Sequence, residues 1–182
     1  MVRTWIACVL CLCIGASVCA HTQQVVHSRH QRPTVFAPEE NNLGFEDAKL
    51  PSDAVLDSLL QTKEAKEEDR LVSYDRESLR KLFTVVRVDL SKANDENYIV
   101  MGSPPMSGAD NIWFWIVQVK QGKGTVLLFM PALSFTILGT QTNGYRNLRE
   151  VWGGNIGTDI RVFRYNGTFY KLAHERFEKA KP

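Results

Sequence analysis

The chain has 182 residues, 44% of them hydrophobic and 23% charged, which fits one soluble domain with a sizeable core and excludes disordered, collagen-like and multi-span membrane classes. Its formal charge of +2, without a dense basic cluster, excludes the electrostatic footprint of a nucleic-acid binder.

Arg3 precedes an apolar run from Trp5 to Val18, and Val18 and Ala20 stand at the minus-three and minus-one positions of a cut before His21. This pattern predicts a signal peptide over residues 1–20 and an exported product, periplasmic or secreted. The run of 14 residues is shorter than the roughly 20 that cross a bilayer, so no membrane span is expected. Val18 in front of Cys19 speaks against a lipid-modified cysteine. Cys8, Cys11, Cys13 and Cys19 all lie in this leader, so the expected mature chain is cysteine-free. Disulfides, thiolate metal sites and cysteine nucleophiles are then excluded.

Residues 21–44 are polar, contain Pro33 and Pro38 and lack apolar periodicity, which predicts a flexible arm. Between Glu39 and Asp69, ten acids face three lysines; between Asn97 and Pro182, ten bases face five acids. The acidic stretch has helical spacing. Pro51 suits a first turn, Ser52 or Asp53 a cap, and Val55, Leu56, Leu59 and Leu60 a buried stripe. Overlying the basic region with this acidic stretch would make the two halves complementary. A second helix is expected from Ser73 to Phe83, capped by Ser73 or Asp75, with Leu79, Leu82 and Phe83 inward.

The period then changes to two. Strands are expected at Val85–Leu90, Tyr98–Met101, Trp113–Lys120, Thr125–Met130, Phe135–Leu138, Ile160–Tyr165 and Thr168–Leu172. Gly122-Lys123-Gly124 and Asn166-Gly167 read as hairpins, the latter as a type I′ turn. Trp113, Trp115, Val117 and Val119 share one face of their strand, and Phe114, Ile116, Gln118 and Lys120 the other, so its first half is expected to be covered on both sides. The prediction is a single α+β domain over 45–175, one or two N-terminal helices packed on a mostly antiparallel meandering β-sheet, followed by a tail at 176–182.

Few residues suit catalysis. Outside the arm there is one histidine, His174, and Ser134 lacks the flanking glycines of a nucleophile elbow. Asp110, Glu150, Asp159, Glu175 and Glu178 show no spacing that singles out a hydrolytic pair. His21 with His27 or His30 could chelate copper weakly, but no metal site or cofactor is assigned. The loop from Asp89 to Tyr98 puts Asp89, Ser91, Ala93 and Asn97 at alternate positions with Asp95 out of register, too few carboxylates for calcium.

Four segments together carry a resemblance: Val88-Asp-Leu with Asn97-Tyr-Ile-Val-Met-Gly102, Ser107-Gly-Ala-Asp-Asn111, Thr142-Asn-Gly-Tyr-Arg-Asn-Leu148, and Phe163-Arg-Tyr-Asn-Gly-Thr-Phe-Tyr170. The chain from Leu82 to Leu172 resembles a group of small exported bacterial proteins without an assigned activity, whose segments run D-L-N-G-D-G-x-x-E-Y, C-G-A-N-x-C, N-G-Y-R-D-L and Y-x-F-D-G-x-x-Y. Ser107 and Ile112 replace the cysteines, and Lys92, Ala93 and Asn94 the glycine-aspartate core of the loop. The resemblance implies export and the sheet topology. Asn143-Gly144 is expected to be a tight turn that aims Tyr145 and Arg146, a structural corner ahead of a ligand contact.

The leading expectation is an exported non-catalytic binding protein (an inhibitor, immunity-type or envelope-accessory factor) that docks on another exported or envelope protein. Trp113, Trp115, Tyr145, Arg146, Arg149 and Trp152 are its candidate contact residues, being the types that dominate interface energetics. A small-ligand or glycan binder would stack on Trp113, Trp115 and Trp152, and a cell-envelope hydrolase would use Asp110, Glu150 or Asp159. An enzyme should show a concave site with a carboxylate of raised pKa, a protein binder an open, flat patch.

Overall fold

The computed structural model describes residues 34–39, 42–91, 95–108, 111–154 and 156–179. The leader with its four cysteines, the arm's three histidines, Lys92, Ala93, Asn94 and Asp110 lie outside the described residues. No described helix is long and apolar enough to cross a membrane.

Short helices come first, each started by a side-chain cap. Ser52 accepts from the Val55 amide to open α1 (Asp53–Leu60), Thr62 from that of Ala65 to open α2 (Lys63–Glu67), and Asp75 from that of Ser78 to open α3 (Arg76–Lys81). A 3₁₀ turn at Asp69–Ser73 joins the last two. The second helix is shorter than expected, because Phe83 already begins a strand and sets its ring edge-on to Trp115, centroids 5.6 Å apart.

The rest is an antiparallel meander: β2 (Phe83–Val88), β3 (Glu96–Gly102), a two-residue β4 (Ser107–Gly108), β5 (Asn111–Lys120), β6 (Lys123–Ala132), β7 (Ser134–Thr142), β8 (Tyr145–Gly154), β9 (Gly157–Tyr165) and β10 (Tyr170–Lys179). The α+β class holds, with two sheets in place of one. β2, β3, β5 and β6 lie side by side, β4 pairing β5 beyond the end of β3; the second sheet runs β1-β7-β8-β9-β10, where β1 is Thr34–Phe36. The chain changes sheets at Leu133, whose amide donates to the Val151 carbonyl at 3.1 Å.

Two sheets form because β5 is apolar on both faces, as its alternation predicts. Trp115 and Val117 meet Val55, Leu56 and Leu59 of α1 in one core; Phe114 and Ile116 meet Phe135, Ile137, Leu148 and Phe163 of the second sheet in the other. The molecule is therefore three layers: helices, first sheet, second sheet. Helix α1 lies so close to β6 that a methyl group on Gly124 would stand 2.2 Å from the Ala54 carbonyl oxygen.

Several boundaries move. Residues 34–36 of the expected arm form β1, where Phe36 stacks on Phe135 at 4.8 Å. The expected tail is strand as far as Lys179; a bulge between Leu172 and His174 breaks the alternation by which it would have been read. Gln121-Gly122 and Asn143-Gly144 make two-residue turns with positive φ at both positions. At Asn166-Gly167 only the glycine has positive φ, and the loop is four residues long, with Asn166 Oδ1 accepting from the Thr168 and Phe169 amides at 2.9 Å each. The α1 acids with described partners, Asp53 and Asp57, pair with Arg76 and Arg80 of α3 rather than with bases of the sheets.

Candidate functional site

Strand register sorts the second sheet into two faces. Phe36, Phe135, Leu148 and Phe163 point at the first sheet, so their neighbours in the chain point away from it. The outward rows read Val35–Thr136–Arg149–Val162–His174, then Ser134–Val151–Ile160–Arg176, with Arg164 opposite Lys171 toward one end and Thr158 opposite Glu178 toward the other. The described helices pack on the first sheet, α1 against β5 and β6 and α3 against β2, and leave this face open.

The face has an aliphatic centre and a basic border. Val151, Ile160 and Val162 are half-buried there, while Val35, Arg149, Arg164, Lys171, His174 and Arg176 are exposed. Glu178 is the one acid in these rows and contacts Arg176. No described carboxylate pairs with Arg149, Arg164 or Lys171; Arg149 donates to Thr136 at 3.3 Å, and Lys171 lies 5.3 Å over the Phe169 ring. Arg164 and Lys171 are directly opposed across β9 and β10, and like charges so placed repel.

Of the expected contact residues, Arg149 belongs to this face and the others do not. Trp115 is fully buried between α1 and the first sheet, with Trp113 half-buried beside it at 5.9 Å. Tyr145 and Arg146 are buried too, which corrects their reading as surface contacts. The Tyr145 ring stacks on Tyr165 at 4.0 Å, and its hydroxyl joins Gln118 and Asp95. Arg146 turns inward because the bulge between Ile137 and Gln141 frees carbonyls that its guanidinium satisfies, Leu138 at 2.8 Å and Ile137 at 3.1 Å. Burial lowers the Arg146 pKa. Trp152 is half-buried on the inward face, beneath the Arg161 guanidinium at 5.4 Å. The segment from Asn143 to Leu148 is thus a corner of the fold, in line with the expected turn.

Glu150 is the notable carboxylate. It sits in the row Phe135–Glu150–Arg161–Glu175, 1% exposed, with Oε1 3.7 Å from Arg161 and without a hydrogen bond. Burial raises its pKa to about 7, against the pull of the Arg161 charge. Arg161 is held more closely by Glu175, at 2.6 Å. Grooves of about 520 Å³ beside α1 and about 620 Å³ beside Lys120 are lined by other residues. Asp95, the spare carboxylate of the Asp-rich loop, is occupied by Gln118, Tyr145 and Lys120, and no metal-binding group of side chains occurs among the described residues.

Arg164, Lys171, His174 and Arg176 were not singled out by sequence reasoning. A two-residue turn at Asn166-Gly167, as the sequence suggests, would set Arg164 against Phe169; the observed four-residue loop pairs Tyr165 with Tyr170 and so sets Arg164 against Lys171. No family model, curated protein or solved structure matches this chain.

Proposed function

We propose that this is an exported, non-catalytic binding protein that holds an acidic protein surface against the outward face of its second sheet. The observation that carries the reading is the Arg164–Lys171 opposition on a face that no described helix covers: the two cations repel each other in the free protein, and carboxylates of a partner would relieve both. Val151, Ile160 and Val162 supply an apolar centre for such a contact, and Arg149, His174 and Arg176 its border. A hydrolase is less well supported, since Glu150 is enclosed and tied to Arg161. The expected leader and the resemblance to small exported proteins support export.

The test is capture of a partner from an envelope or secreted extract on immobilised protein, compared with the Arg149→Glu/Arg164→Glu double variant and the control Lys123→Glu, far away on the β5–β6 hairpin. An acidic partner is expected to bind the parent and the control, to be lost from the double variant, and to elute with salt. Capture that survives the double variant would refute the assignment of this face.

A further inference from the structure

β10 is the edge of the second sheet, with no described strand on its outer side, and every residue in it after Tyr170 is exposed. An edge of this length presents unpaired backbone groups along its outer side. Its last five residues read Glu175-Arg176-Phe177-Glu178-Lys179, a sequence whose charges invert about Phe177. In an antiparallel pair built on a two-fold axis perpendicular to the sheet, a residue faces a partner residue on the same side of the pleat. Centred on Phe177, that pairing sets Glu175 against the partner's Lys179, Arg176 against the partner's Glu178, and Phe177 against the partner's Phe177. All four ionic contacts are attractive.

The other symmetric registers lack this match. Centring on Glu175, Arg176 or Glu178 sets that charge against itself, and centring on Ala173 offers only the Lys171–Glu175 contacts and falls on the bulge, so the register centred on Phe177 makes the most attractive contacts. Phe177 is 48% exposed on the inward side of the sheet, where a second phenyl ring would cover it.

We infer that the protein pairs with a second copy of itself through β10, antiparallel and centred on Phe177. The two second sheets then become one ten-stranded sheet with a continuous outward basic face. The inference is independent of the partner proposed above, because it concerns the purified protein alone.

The experiment is sedimentation across a concentration series with Arg176→Glu, Glu178→Arg, the double variant Arg176→Glu/Glu178→Arg, and Lys123→Glu as a control with the charge change of Arg176→Glu. Arg176 and Glu178 are exposed, lie opposite Ile160 and Thr158 within the sheet and pair with each other along the strand, so an exchange at either costs the fold one exposed ion pair and should leave it intact, to be checked by thermal melting. The parent is expected to dimerise. Each single variant occurs twice across the two-fold and should weaken dimerisation about tenfold or more, the double variant should restore it, and the control should match the parent. Hydrogen exchange should show protection of 175–179 that rises with concentration. A parent that stays monomeric at about 1 mM, or single variants that dimerise like the parent, would overturn the inference.

Discussion

Glu150 couples stability to pH in an unusual direction. Its pKa rises from 4.5 to about 7 on folding, so between those values the folded state holds a proton that the unfolded chain releases. Stability therefore falls as pH rises from about 4.5 to 7, by up to about 3 kcal/mol from this group alone. Glu150→Gln should remove that part of the slope and leave the variant more stable than the parent above pH 7, measured by denaturant titration at several pH values. A parent and variant with parallel pH profiles would contradict it. Sequence reasoning named Glu150 as a carboxylate without placing it, because alternation in β8 is blurred: Tyr145, Arg146, Asn147 and Leu148 are buried in succession around a bulge. Arg146 was misread for the same reason, as the carbonyls it satisfies belong to an irregularity in a neighbouring strand.

Among the elements, the β9–β10 hairpin is where stability and the proposed binding would oppose each other. Lys171→Glu turns its opposition with Arg164 into attraction and is expected to stabilise the fold by up to about 1 kcal/mol in a denaturant titration while weakening partner capture. A variant that gains stability and keeps full capture would separate the two roles. Caps were the most legible features: Ser52 and Asp75, each one of two candidates, cap α1 and α3, and Asn143-Gly144 turns as expected, whereas the turns near Gly122 and Asn166 differ in position or type. The ends were less legible. β1 is three residues, too short for a period, and the bulge at Ala173 shifts the phase of β10.

For the whole molecule, the two-sided apolar pattern of β5 foretold cover on both faces but not which elements supply it, since Leu133, the one residue between β6 and β7, is neither glycine nor proline, and Pro131 lies within β6. The shared strand also makes the two cores one cooperative unit. Leu56→Ala in the helical core and Leu148→Ala between the sheets should each cost about 2–5 kcal/mol. Both should shift a single transition with an unchanged denaturant slope. Two separate transitions in either variant would show that the layers unfold apart.

The strand order has a practical corollary. β1 and β10 are opposite margins of one sheet, four strand spacings or about 19 Å apart. A fusion joined upstream of β1 leaves from the far margin, whereas one joined downstream of β10 leaves from the self-pairing strand and would obstruct it. The same protein carrying an affinity tag at one end or the other should then differ in association state, with the upstream tag permitting dimers and the downstream tag suppressing them.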